Sequence, residues 1–384
     1  MAMALSRATD VRVPRGFGVW LLFLVWMVLS ATQLDSGERS IGFVYRALLY
    51  VSATVAFLYA YNARALTMRY VSGVLTVFWL TAVVGGYVGI ITPLLTVHTP
   101  LSYIVPDALQ ANDLVREMVV RRVTQFEPAS WAPLDPRPSA PFLYTNNWGN
   151  AYSLLLPFVI VHLRHVRGHR RFWPLALCLP VSFLPAFLTL NRGMFLALGV
   201  GAAYLTLRAL LGRNRTMLLT LAALGGVAAV ALAVLPVADR LEERVTVSST
   251  TEDRLTLYAE TIDRALSSPL LGYGAPRPSE NPFLDSVGTQ GQFWMVLFAH
   301  GFVGAVLFMS WLLMLIRGSL RHSDVDALAL SAVLVMAALE VLYYGILATG
   351  MVLVMVAGAM ALRREPAAPT STNSPTQLRT ILRR

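Results

Sequence analysis

Apolar runs close to the length of a bilayer core recur along the chain, separated for the most part by short polar turns. Ten can be drawn, over residues 17–34, 41–61, 70–91, 148–163, 172–190, 193–211, 216–236, 291–316, 325–343 and 346–362. A helix needs roughly 20 apolar residues to cross the hydrocarbon region. There the backbone must satisfy its own hydrogen bonds, which leaves helices as the spanning element for such runs. The pattern therefore predicts an all-α fold, a polytopic transmembrane helical bundle of about ten spans forming a single integral-membrane domain over residues 1–384. The last two runs are divided only by Tyr343, Tyr344 and Gly345, so one broken helix or a re-entrant pair is an alternative there. The first run follows three arginines, lacks a small-residue cleavage site and precedes many further runs. It reads as a first span rather than a removed signal.

Two connections are long, residues 92–147 and 237–290, well beyond the usual connection length, which marks them as functional. The first holds a helical-looking stretch from Asp107 to Val123 and then a proline-rich run, Pro128, Pro133, Pro136, Pro138 and Pro141. The second opens with charged residues and passes through Ser248 to Thr251. It continues as an amphipathic helix from Glu252 to about Ser267, ended by Pro269 and the Gly272-Tyr273-Gly274 turn. Its apolar residues Leu255, Leu257, Tyr258, Ile262 and Leu266 can lie against the bilayer surface or the bundle.

Charge orients the bundle. Hydrophobic residues make up 56% of the chain and charged ones 14%, with mean hydropathy +0.60, so no independent soluble domain remains. All 31 basic residues are arginine and the net charge is +10. With both termini cytoplasmic, the inner segments carry nineteen arginines against four acids and the outer ones eleven against sixteen, as the positive-inside rule requires. Both long loops then lie outside the cytoplasm. Residues 365–384, rich in Pro, Ser and Thr, form a disordered cytoplasmic tail attracted to anionic lipid. One cysteine, Cys178, excludes a disulfide framework and a cysteine-rich metal site.

Phosphate loops, paired-histidine zinc motifs and nucleophile elbows are absent. Asp324-Val325-Asp326 has a metal-binding spacing, but its place at a cytoplasmic helix start favours capping by Ser323 and the acids. More informative is Thr189-Leu190-Asn191-Arg192-Gly193, which puts an arginine into an outer turn where the charge rule disfavours it. Arg192 either snorkels to lipid phosphate or presents a planar fork to a diphosphate. Arg254 offers a second fork, or pairs with Asp253 or Glu252 as a solvated helix charge. Nearby run Asn146-Asn147-Trp148-Gly149-Asn150 and Ser286 to Trp294, amide-rich and aromatic, suited equally to gripping sugar hydroxyls and to capping helices or forming an interfacial belt. Within the spans, Arg46, His300 and Glu340 are either functional or internally paired, Glu340 with the Tyr343 or Tyr344 hydroxyl.

In order and topology these features resemble the O-antigen ligase and O-antigen polymerase superfamily, integral-membrane glycosyltransferases of the GT-C class. The likeness runs over about residues 140 to 310. It rests on Asn146 to Asn150, on Leu190-Asn191-Arg192-Gly193, on Arg254 to Tyr258 with Ser268-Pro269-Leu270-Leu271-Gly272-Tyr273-Gly274, and on Gly288 to Trp294 with Gly301-Phe302-Val303-Gly304. The resemblance implies transfer of a glycan from a polyprenyl-diphosphate carrier to a glycan or lipid acceptor on the outer face of the bacterial inner membrane, without metal, nucleotide or other cofactor and with no nucleic-acid partner. It implies catalytic roles for Arg192 and Arg254 on the leaving diphosphate, and substrate binding by Asn146, Asn147, Asn150, Tyr258, Tyr273 and Trp294. The family's outer-loop histidine falls at Gln290. A glutamine amide can orient an acceptor but has no useful basicity. Asp285, Glu280 or His98 then acts as base, or base assistance is dispensable, or the chain is an altered form. A transporter or lipid flippase is the competing class. It calls for inverted repeats and midspan charges, whereas the unusual residues here gather at one face.

Overall fold

The computed structural model describes residues 1, 5, 11–125, 136–234 and 250–363. Residues 365–384, the charged opening of the second long loop (237–249) and Pro128 and Pro133 lie outside the described residues. The chain is helical nearly throughout. In order come α1 (Phe17–Leu29, prolonged by a 3-10 turn Ser30–Gln33), α2 (Gly37–Asn62) and α3 (Met68–Ile91). The first long loop follows, with α4 (Asp107–Gln110) and α5 (Asp113–Val119), then α6 (Thr145–His165), α7 (Phe172–Leu188), α8 (Arg192–Leu211) and α9 (Arg215–Val234). The second long loop ends in α10 (Thr250–Ser267), after which α11 (Gln292–Ser319), α12 (Val325–Glu340) and α13 (Gly350–Arg363) complete the bundle.

All ten apolar runs form helices, so the fold is an all-α membrane bundle. Four of them, Gly37–Asn62, Met68–Ile91, Arg192–Leu211 and Gln292–Ser319, are long and apolar enough to cross a membrane, and shorter apolar helices accompany them. The outward faces are apolar too: Leu22, Val77, Val84, Leu177, Leu219 and Val306 are exposed. A belt of this kind suits lipid rather than water. Inside, α6, α11, α12 and α13 supply most of the fully buried side chains, with α13 packed on α2, α3 on α6, α12 on α8 and α11 on α1. Runs nine and ten are two separate helices joined by a non-helical segment, residues 341–349, in which Val341, Tyr344, Ile346 and Leu347 are buried.

Three expectations need correction. The stretch from Asp107 to Val123 is not one helix. After α5 the chain turns into strand β2 (Val120–Arg122), antiparallel to β1 (Thr96–His98), while β3 (Thr124–Gln125) pairs with β4 (Arg137–Pro138). The β-branched run Val119-Val120 and Val123-Thr124 suits a pleated pair better than a helix once β1 offers its edge. Glu340 does not pair with a tyrosine hydroxyl. Its buried carboxylate accepts from Asn150 Nδ2 at 2.6 Å and Ser153 Oγ at 2.5 Å, both on α6. Asp324 holds the backbone cap position of α12 without a side-chain capping bond, Ser323 accepts from Arg208, and Asp326 faces Arg164 and His165 at 3.7 and 3.9 Å.

One break in α11 governs the end of the bundle where α10 packs. Gly301 has φ +67°, a left-handed value that interrupts the helix. The carbonyls of Phe298 and Ala299 are thereby freed, and they accept from the N–H groups of Tyr273 (3.0 Å) and Gly274 (2.9 Å) in the turn after α10. The Phe302 N–H donates back to the Pro269 carbonyl at 2.8 Å. The Trp26 indole of α1 closes the joint, its N–H lying 3.0 Å from the Leu270 carbonyl and 3.1 Å from that of His300. A Cβ on Gly301 would also run into the Leu270 carbonyl. Gly301→Ala should therefore destabilise the protein by more than the roughly 1–2 kcal/mol that a left-handed L-residue costs. We expect a lower thermal midpoint in detergent and faster proteolysis within residues 250–290; an unchanged midpoint and digestion pattern would contradict this joint.

Candidate functional site

Segment 341–344 is the meeting point of the sequence motifs. At the start of α11, Gly291 turns the chain, and the first helical N–H groups find carbonyl partners outside the helix: Gln292 N–H donates to Tyr344 O (2.7 Å) and Phe293 N–H to Val341 O (2.8 Å). From α10, the Tyr258 hydroxyl donates to the Leu342 carbonyl at 3.2 Å, and the Trp294 indole N–H shares that acceptor at 2.9 Å. The two rings stack with centroids 4.4 Å apart. From α8, Asn191 occupies the N-cap position, yet its side chain makes no capping bond. Its Oδ1 accepts instead from the Tyr344 hydroxyl, and its Nδ2 donates to Thr145 O at 3.2 Å.

Glycine at 193 is needed for this closeness. The Tyr343 hydroxyl donates to Gly193 O at 2.9 Å, and a Cβ at 193 would overlap the Tyr343 ring and the Tyr344 hydroxyl. Arg192, the first residue of α8, is exposed beside this contact, at the positive end of the helix. Arg254 is half-buried on α10, one turn before Tyr258. Among the described residues neither guanidinium has a hydrogen bond or ion pair, so the pairing of Arg254 with Asp253 or Glu252 is not formed. Tyr344 is held above the ordinary phenol range chiefly by burial, with the Arg254 charge pulling the other way. Tyr258 is likewise raised by burial and opposed by Arg254. The Arg254 charge thus bears on the tyrosine that binds the residue before Arg192.

Gln290 lies at the other side of the α11 start. Its amide donates to Asp285 Oδ2 at 2.7 Å, which leaves the amide oxygen free to accept. Of the three groups considered as a replacement base, Asp285 is the one in contact with Gln290; Glu280 and His98 are exposed elsewhere on the loops. Next to it stands Tyr144, just before α6, whose hydroxyl donates to Glu117 Oε2 at 2.6 Å. Tyr144 is raised by burial first, then by Glu117, with Tyr45 and Asp285 adding to the shift. Tyr144 and Glu117 went unnoticed in the sequence because neither sits in a motif. The signal available was their place on one long loop, Glu117 near its middle and Tyr144 near its end.

The amide segment divides. Asn146 and Asn147 are half-buried near Tyr144, whereas Asn150 is buried, faces inward and is held by Glu340. Tyr273 is held by packing: its ring stacks on Phe298 at 4.9 Å, the Arg277 guanidinium lies 4.5 Å from the ring centroid, and its hydroxyl donates to Arg264 O. Arg277 also reaches Asp35 at 3.3 Å, whose carboxyl is kept below its usual value chiefly by the Arg39 hydrogen bond. His300 is paired internally with Ser30, 2.6 Å from Nδ1 to Oγ. Arg46 is neither bonded nor paired among the described residues and does not meet Glu340. On the face of α10 opposite Arg254 and Tyr258, a polar cavity of about 450 Å³ is lined by Glu260, Asp263, Arg264 and Glu280. No group of three metal-ligating side chains occurs among the described residues.

Comparison with known proteins agrees with the motifs. No curated protein matches the chain. A family model described as O-antigen ligase matches residues 177–309, from within α7 through the kinked first half of α11, and so covers Arg192, Arg254, Gln290 and the Gly301 joint. Over that stretch the match supports the O-antigen ligase superfamily as the family of this membrane protein.

Proposed function

We propose that the protein is a glycosyltransferase that moves a glycan from a polyprenyl-diphosphate carrier to a hydroxyl acceptor on the outer face of the cytoplasmic membrane. The observation that carries this reading is the gathering of the Arg192 helix start, the Arg254 helix and the Gln290–Asp285 pair around segment 341–344. The family match supports a ligase-like activity of the same kind.

In this reading the acceptor oxygen attacks the anomeric carbon of the carrier-linked sugar, and the bond from that carbon to the diphosphate oxygen breaks. The diphosphate leaves with the bonding electron pair. Arg192 and Arg254 offset the charge that gathers on it, each fork matching phosphate oxygens and remaining charged at any working pH. The positive end of α8 adds to that field. Preorganised donors of this kind each contribute about 3–4 kcal/mol to the transition state. The Gln290 amide, fixed by its bond to Asp285, presents its oxygen to the acceptor hydroxyl and orients it. The hydroxyl proton passes to the Asp285 carboxylate. Tyr258 and Trp294 hold segment 341–344 in place from outside, and Asn146 and Asn147 face the sugar.

Supplying full-length protein with a defined polyprenyl-diphosphate glycan and following transfer tests this. Arg192→Ala and Arg254→Ala should each lower turnover by about 100-fold or more while the protein keeps its thermal midpoint. Wild-type turnover in both variants would remove the mechanism. Separately, Asp285→Asn should slow transfer by about 100-fold. In that background, Gln290→His should restore part of the rate, because an imidazole at 290 can take the proton itself. A full rate in Asp285→Asn alone would assign the proton elsewhere.

A further inference from the structure

Arg46 stands on α2, nine positions after Gly37, inside an apolar span. The lipid-facing stripe of that helix is Ile41, Val44, Leu48 and Val51, all exposed. Arg46 lies on the opposite stripe, between Phe43, whose ring is 6.5 Å from His300, and Tyr50, which is fully buried and accepts from Gln292 Nε2 at 2.7 Å. Helical spacing thus turns Arg46 toward the bundle and away from lipid headgroups. A guanidinium in such a place normally pairs with a carboxylate or with backbone carbonyls. This one has no ion pair or hydrogen bond among the described residues. Glu340, the acid buried at the end of α12, is already engaged by Asn150 and Ser153.

Its surroundings belong to the Gln290 side of the site. The Arg46 and Arg121 charges both act on Tyr45 without bonding to it, and Tyr45 in turn acts on Tyr144, as Asp285 does. One helical turn further along, Tyr50 is tied to Gln292, two residues after Gln290. Arg192 and Arg254, by contrast, are grouped with Tyr344 and Asn191.

We propose that Arg46 is a binding residue for an anionic substituent, a phosphate or carboxylate, on the acceptor molecule. A cation without a partner among the described residues, turned inward one helical turn before the tyrosine that holds Gln292, is completed by an anion that arrives with the acceptor. Arg121, on β2, contributes a second positive charge near Tyr45. The proposal rests on the glycosyltransferase reading for the word acceptor, but the anion preference it states does not.

The test is binding to the full-length protein in detergent of a sugar-phosphorylated glycolipid, its dephosphorylated counterpart and polyprenyl diphosphate, with wild type, Arg46→Gln and Arg46→Lys compared. Wild type should prefer the phosphorylated glycolipid by about tenfold or more, the scale of a charge-assisted hydrogen bond. Arg46→Gln should erase that preference and leave the polyprenyl diphosphate affinity unchanged, and Arg46→Lys should retain part of the preference. Thermal midpoints within a degree or two of wild type would keep the comparison on folded protein. For a variant with a lowered midpoint, Arg46→Lys decides by itself. Equal binding of both glycolipids by wild type, or a preference that survives Arg46→Gln, would overturn the proposal. So would loss of polyprenyl diphosphate binding in Arg46→Gln, which would assign the residue to the donor. Should the preference hold while no carrier-linked glycan is ever transferred, the glycosyltransferase reading fails and the anion site stands.

Discussion

The end of the bundle that carries α10 depends on a helix broken at Gly301 and mended by another segment. In an apolar environment each unsatisfied backbone group costs several kcal/mol. Once Gly301 interrupts α11, the carbonyls of Phe298 and Ala299 must find donors, and the turn Leu270 to Gly274 supplies them. That exchange fixes the C-terminal end of α10 on the bundle. With it are fixed the height and rotation at which Arg254 and Tyr258 arrive over segment 341–344. The joint is a backbone-to-backbone contact and therefore tolerates little sliding, which suits a loop helix that must present one side chain accurately.

A second consequence concerns charge. The charge pattern of the sequence assigns Arg192 to the side where the positive-inside rule disfavours arginine. Arg192 nevertheless begins α8 where a helix dipole is already positive, and neither Arg192 nor Arg254 has a counter-ion among the described residues. Arg46 adds an inward-facing third. The inward-facing Arg46 and the half-buried Arg254, without partners among the described residues, gain when anions enter, and the exposed Arg192 can join Arg254 on one of them. Burying a charge is costly without a partner, so the partner is expected to come from the substrates.

Much of the fold was legible because lipid imposes a plain rule on sequence. Every apolar run became a helix, and even the divided pair at 343–346 resolved into two, since Tyr343 and Tyr344 had carbonyl and amide partners on α8 that a continuous helix would forfeit. The loops were less legible. Residues 107–123 have helical composition, yet β1 offered a pairing edge that nothing within the segment announces. The motif residues separated only in three dimensions. Asn150 and Tyr273 share motifs with Asn146 and Tyr258, but helical rotation turns Asn150 inward to Glu340, and the kinked α11 packs Tyr273 against Phe298. Glutamine where the family resemblance calls for histidine was visible at once; that Asp285 stands against it, five residues earlier, was visible only in the fold.

The central claim is that Arg192 and Arg254 act on one diphosphate. A double-mutant cycle on the affinity of the full-length protein for polyprenyl diphosphate, using Arg192→Ala, Arg254→Ala and the double variant, measures that directly. If both forks grip the same group, the two losses should be strongly non-additive, with a coupling of about 1 kcal/mol or more. Strictly additive losses, or an affinity indifferent to either residue, would show that the two arginines do not share a ligand.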